Sequence, residues 1–307
     1  MDQFSVYVPK LLPKDEYFLS GRRSCQGCGK AIAARIACKA MGNSAIISGP
    51  ASRSRSPLTA SLTAQSYEFD DITYEDMTSS LLSGISQVNE TVRKEGRTNR
   101  KRIKKTVVGI DRRVLFANFL ALSRTFESKE DTLYLCFDNE PSLDVLINHA
   151  SPLSFNLAEV PHSASAHDVE RTISEKGIPG VVEEAGFSYV ATACSAYPFD
   201  YMEKVKKGLE CKGSAFMLIL TPCPTGWIFS PKLTVRVGLQ AVKTGYFPLF
   251  EIENGKIRIT ERIKARKPLQ EYLKMQGRFM LFPPELIPSM QKAVDEMYEE
   301  LLSRESR

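Results

Sequence analysis

Histidine and tryptophan are scarce in this sequence, with three His and one Trp in 307 residues. His149, His162 and His167 all fall in one polar stretch, 148–168. Structural or solvated roles suit them, and no Ser/His/Asp arrangement accompanies them. Long apolar runs are missing as well. A membrane span needs about 20 apolar residues in a row and a secretory signal needs about 7–15 near its N-terminus. Neither run occurs in the sequence, so the expected location is the cytoplasm, with no membrane partner. Charge of one sign is not abundant either. A net charge of +5 implies a local basic patch at most, since nucleic-acid binders carry more charge, more tightly clustered. Internal repeats and low-complexity blocks are absent.

Seven cysteines, an odd number, are spread through apolar segments such as Leu133-Tyr134-Leu135-Cys136-Phe137. That is no disulfide framework of a small secreted domain. Reduced thiols either pack in a core or bind metal, and only Cys25, Cys28 and Cys223 stand in contexts that suggest metal. Cys38, Cys136, Cys194 and Cys211 are expected to be core or surface residues with no role.

With 43% hydrophobic residues the chain can bury a sizeable core. Residues 1–20 are mixed and Pro-containing, an extended arm lying on a partner or on the body. Lys30–Met41 has apolar residues at helical spacing, and Gly42-Asn43 stops it. Short apolar runs then alternate with helical patterns. Strands are expected at Ser44–Ser48, Thr106–Ile110, Thr132–Phe137, Tyr189–Ala193 and Ala215–Leu220, the last taken as the final core strand. Helices are expected at Tyr74–Glu95, Val114–Arg124, around Val169–Ser174 and at Pro198–Gly208, with a loop at 49–66 and an amphipathic helix at Pro284–Leu302. Fully apolar strands alternating with helices predict an α/β fold, a mostly parallel sheet with helices on both faces. The expected division is an arm at 1–20, the α/β domain at 21–276 and a helical tail at 277–307. Arm and tail both look made to pack on another subunit.

Two motifs carry chemistry. Cys25-Gln26-Gly27-Cys28-Gly29 is a Cys-x-x-Cys turn, which lets two thiolates meet one metal while glycines bring backbone amides to sulfur. On its own it fits a zinc knuckle, a redox pair or chance. Thr221-Pro222-Cys223-Pro224-Thr225-Gly226-Trp227 follows the Ala215–Leu220 strand and puts a cysteine where α/β ligand sites form.

The strings GRRSCQGCGKA, YVATACSAYPFDYMEKVKKGLE, LILTPCPTGW and AVKTGYFPLFEIENGK resemble the β subunit of pyruvate and related 2-oxoacid:ferredoxin oxidoreductases. The resemblance runs from about Gly21 into the tail and is close after Ser188. It implies a thiamine-diphosphate-binding fold, partner subunits, a 4Fe-4S cluster near the cofactor, and oxidative decarboxylation of a 2-oxoacid to acyl-CoA with electrons passed to ferredoxin.

Carried over residue by residue, the resemblance assigns Cys25, Cys28 and Cys223 to the cluster. The family's other cysteine falls in Gly49-Pro50-Ala51-Ser52-Arg53, where this sequence has none. Three thiolates with an outside fourth ligand, zinc, or plain packing are the alternatives. For thiamine diphosphate and magnesium the family uses Gly-Asp-Gly at a strand end and a second polar ligand later. Here Asp111 matches the aspartate, but Arg112 replaces the following glycine, and Asn139 matches the second ligand 28 positions on. The Asn-Thr-Gly continuation has become Leu143-Asp144-Val145, and a carboxylate is available near Glu75-Asp76. Magnesium wants hard oxygens in a tight octahedron. A side chain at 112 fills space that diphosphate needs. Asp111 could alternatively cap the next helix, and Arg112 with Arg113 could bind an anion. The basic run at 93–105 is a solvated turn or a docking patch for acidic ferredoxin. No aromatics interleave with it as single-stranded nucleic acid would require. Three functions fit these residues: an oxidoreductase subunit, a degenerate non-catalytic paralogue serving assembly or regulation, or a metal-binding interaction module.

Overall fold

The computed structural model describes residues 12–16, 25–42, 45–48, 105–112, 132–139, 177–180, 182–280 and 282–306. Outside them lie the expected loop at 49–66, the helices at 74–95, 114–124 and 169–174, the basic run as far as 104, residues 143–145, Arg113 and the three histidines.

Seven strands form one sheet: β1 (Ala45–Ser48), β2 (Lys105–Asp111), β3 (Thr132–Asp138), β4 (Tyr189–Cys194), β5 (Ala215–Leu220), β6 (Phe250–Glu253) and β7 (Lys256–Ile259). Their order is β1-β2-β3-β5-β4-β6-β7. The first five are parallel, as the unbroken apolar runs predicted. All six residues of β5 are buried, because helices cover both faces and neither face meets water. Alternate side chains enter two separate cores. Leu133, Leu135, Phe137, Met217 and Ile219 join α1 (Gly29–Met41) and α2 (Pro198–Glu210) on one face. Tyr134, Cys136, Phe216, Leu218 and Leu220 join α3 (Thr234–Lys243), α4 (Leu269–Leu273) and α5 (Ile287–Glu305) on the other. Each larger apolar side chain buried this way contributes roughly 1.5–3 kcal/mol.

Gly42 ends α1 at φ 52, ψ −130, a conformation that only glycine enters without strain. Its amide donates to the Cys38 carbonyl at 3.0 Å.

Three expectations need correction. Ala215–Leu220 is not the last core strand, since β6 pairs antiparallel with β4 and β7 with β6. The hairpin turns on Asn254 (φ 51) and Gly255 (φ 77), the Asn-Gly pair that a two-residue turn with positive φ favours. Lys105 is no part of a solvated turn. It opens β2, is 4% exposed, and its ammonium donates to Cys211 Sγ at 3.1 Å. The tail helix spends its apolar face inside this chain: Met290, Val294, Tyr298 and Leu301 are buried, and Tyr298 Oη accepts the Ile263 amide at 3.1 Å. At the other end, residues 12–16 of the arm lie on α1, where Lys39 Nζ donates to the Pro13 and Asp15 carbonyls, both at 2.8 Å.

Candidate functional site

Parallel strands aligned at their ends deliver their outgoing loops to one edge. Asp111 stands opposite Phe137, and Asp138 and Cys194 both stand opposite Leu220. Asp111-Arg112, Asp138-Asn139 and Thr221-Pro222-Cys223 therefore leave β2, β3 and β5 at the same carboxyl edge, where open α/β sheets bind ligands.

The edge is held by polar contacts that need this register. Thr221 donates to the Asp138 carbonyl twice, from its amide at 2.7 Å and its hydroxyl at 2.8 Å. Arg112 Nη1 donates to Asp138 Oδ2 at 2.8 Å, with side-chain exposures of 5% and 0%. This buried ion pair joins the residue after one expected magnesium ligand to the residue before the other. The side chain of Asp111 is outside the described residues. Asn139 is half-buried, and its carbonyl accepts the indole N–H of Trp227 at 2.7 Å. Trp227, the chain's single tryptophan, is fully buried beneath the Arg278 guanidinium, 4.0 Å from the ring centroid. Next to it, Ile228 has φ 55 and is 64% exposed. A β-branched residue in that region is strained, and the amide of Gly277 donating to the Ile228 carbonyl at 2.9 Å helps to hold it there.

The Cys-x-x-Cys turn is seated on the same edge. Cys28 N donates to the Cys25 carbonyl at 3.1 Å, and Gly29 N donates to the Pro222 carbonyl at 3.1 Å. A Cβ on Gly29 would lie 2.4 Å from that carbonyl oxygen, and one on Gly27 would lie 2.7 Å from the Pro231 carbonyl oxygen. The glycines thus permit the backbone approach. Cys223 Sγ accepts the Gly226 amide at 3.3 Å. The segments carrying Cys25, Cys28 and Cys223 meet although 195 positions separate the latter two. Among the described residues, however, no three His, Cys, Asp or Glu side chains are grouped so as to hold a metal ion. Cys38, Cys136 and Cys194 are buried, and burial pushes the Cys194 thiol up to about 12, as packing thiols would be.

Sequence reasoning named the second ligand region but gave Asp138 no role, and it passed over Arg278 entirely. A lone tryptophan directly after Pro-Cys-Pro-Thr-Gly was the available signal for the indole–Asn139 contact.

The residues present do not fit a magnesium-bound diphosphate. A glycine after the strand-end aspartate would leave room for phosphate, whereas this chain has Arg112 there, its guanidinium buried against the Asp138 carboxylate. Nor do the described thiols, as placed, make a cluster ligand set.

No family model matches the chain. Full-length relatives do. Pyruvate synthase subunit PorB of Methanocaldococcus jannaschii is 38% identical over 92% of this chain and 96% of its own. The chain belongs to the PorB/VorB family of oxidoreductase subunits. Ketoisovalerate oxidoreductase subunit VorB of Pyrococcus abyssi is 34% identical over 94% of both chains. A chain of the solved 2-oxoglutarate:ferredoxin oxidoreductase from Magnetococcus marinus, with 2-oxoglutarate, coenzyme A and succinyl-CoA bound, superposes at a TM-score of 0.41 and 17% identity over 68% of this chain and 67% of that one, a likeness that carries no argument. In this PorB/VorB-family chain the Cys-x-x-Cys turn and the Pro-Cys-Pro loop are in backbone contact, and Arg112 is buried against Asp138. No helix among the described residues is long and apolar enough to cross a membrane.

Proposed function

We propose that this PorB/VorB-family chain works in the cytoplasm as one subunit of a multi-subunit oxidoreductase acting on pyruvate or a close 2-oxoacid. The observation that carries this reading is the end-to-end likeness to pyruvate synthase subunit PorB. In the reaction the bond between carboxylate and keto carbon breaks and carbon dioxide leaves. The acyl group forms a thioester with coenzyme A, and the electron pair and a proton are released, the electrons passing to ferredoxin. Its partners are the other subunits and ferredoxin, with no nucleic acid or membrane.

Within this reading, Asp111 and Asn139 stand where the family resemblance puts the magnesium and thiamine diphosphate anchors, with Arg112 beside them. Cys25, Cys28 and Cys223 are the thiols that the resemblance assigns to a 4Fe-4S cluster. Support for the thiols is the Gly29–Pro222 hydrogen bond that joins their two segments. The buried Arg112 favours a second reading, a non-catalytic paralogue that serves assembly beside an active subunit.

The test is to purify the complex anaerobically through an affinity tag on this chain. Coenzyme A-dependent reduction of ferredoxin by pyruvate or another 2-oxoacid should co-purify with it. A tagged chain that elutes alone, with no such reduction in any fraction containing it, would overturn the proposal.

A further inference from the structure

We propose that the diphosphate centre of this subunit is closed by its own salt bridge, the Arg112 guanidinium standing in for the magnesium ion with Asp138 as its counter-ion. The chain then takes neither magnesium nor thiamine diphosphate, and the complex draws its cofactor chemistry from another subunit. This rests on the chain's membership of a 2-oxoacid oxidoreductase complex.

Placement comes first. Arg112 directly follows Asp111, and Asp138 directly precedes Asn139, so the pair bridges the ends of neighbouring parallel strands, each partner next in sequence to an expected ligand. Charge comes second. A guanidinium buried to 5% exposure repels a divalent cation brought beside it, and in a water-poor site little screens that repulsion. Its partner carboxylate, fully buried, is committed to the guanidinium. Arginine also stays protonated at any working pH, so no proton loss opens the site. Rigidity comes third. Two hydrogen bonds from Thr221 to its carbonyl hold the Asp138 backbone in place, and the ion pair with Arg112 orients its buried carboxylate. The Asn139 backbone is held by the Trp227 indole N–H on its carbonyl. The device is a charge substitution: a fixed internal cation balances the carboxylate and fills the space.

Calorimetric titration of the full chain decides it, with magnesium chloride first and then thiamine diphosphate in excess magnesium. The wild type should give no binding heat up to millimolar cofactor and no rise in melting temperature. Arg112→Gly should gain affinity by at least about tenfold. If Arg112→Gly fails to fold, the double variant Arg112→Gly/Asp138→Asn, which leaves no charge buried alone, replaces it. Micromolar binding by the wild type would overturn the proposal, as would opened variants that bind no better. These outcomes are separate from those of the purification. A chain that binds the cofactor and co-purifies with activity sinks the closure but keeps the complex. A chain that stays alone sinks the complex whatever the titration shows.

Discussion

Tyr189 donates its phenolic hydrogen to Glu251 Oε2 at 2.9 Å, joining β4 to β6 where the sheet turns from parallel to antiparallel pairing. The same carboxylate accepts Lys207 Nζ at 2.8 Å and Arg258 Nε at 2.7 Å. Burial alone would raise the Glu251 carboxyl, but hydrogen bonds from Lys207, Arg258 and Tyr189 outweigh it and hold it below the usual 4.5. A carboxyl lowered in the folded state lends stability that is complete above about pH 4.5 and is lost as pH falls through its folded value. Glu251→Gln should therefore cost about 2 kcal/mol at pH 7 and make the acid limb of stability shallower. Urea unfolding at a series of pH values checks both, and an unchanged acid limb would contradict the assignment.

Lys204 is buried whole, and its ammonium donates to the Thr192 carbonyl at 2.8 Å, Asp200 Oδ2 at 2.7 Å and Thr260 Oγ1 at 2.7 Å. Burial lowers its pKa, with Asp200 pulling the other way. Lys204→Met should destabilise the chain by about 3 kcal/mol, since it strands a largely buried carboxylate and a buried carbonyl. Lys207→Met, at a side chain 33% exposed, should cost under about 1 kcal/mol. Equal losses in denaturant melts would refute this contrast.

Gly29→Ala places a methyl 2.4 Å from the Pro222 carbonyl oxygen. Backbone on one side and a helix start on the other leave nothing flexible to yield. The expected loss is about 2–3 kcal/mol, together with faster alkylation of Cys28 and Cys223 as turn and loop separate. Wild-type stability and alkylation rates in the variant would mean that the turn does not rest on this loop.

Arg278 lies over the only tryptophan in the chain, so intrinsic indole emission reports directly on this edge. Arg278→Met should brighten or shift Trp227 emission and cost about 2 kcal/mol through the lost desolvated cation–π contact. Trp227→Phe should lose the hydrogen bond to Asn139 and the emission together. An Arg278→Met spectrum superimposable on the wild type would place the guanidinium elsewhere.

Much of the sheet was readable from the residues. Leu133–Phe137 and Ala215–Leu220 are apolar without a break because they are covered on both faces, and such runs have few other uses in a globular chain. β6 and β7 were missed for the opposite reason. Glu251, Glu253, Lys256 and Arg258 interrupt their apolar positions, although Asn254-Gly255 marked the turn. Of the candidate site, the motif positions were legible and the partnerships were not. The Arg112–Asp138 pair depends on which strands are neighbours and in what register. Arg278 reaches Trp227 across 51 positions of intervening chain, a distance no local pattern spans.

The strand order sets a schedule for the growing polypeptide. β4, α2 and β5 form a local βαβ unit, with Tyr189 pairing to Ala215 only 26 positions on. Leu133 of β3 pairs with the same Ala215 across 82 positions. During synthesis β3 must therefore wait, its apolar edge unpaired, until residue 220 has cleared the ribosome. Such edges invite pairing with other chains. The interval between making residues 138 and 220 is when this polypeptide most needs a chaperone, and slowing translation there would lengthen its exposure.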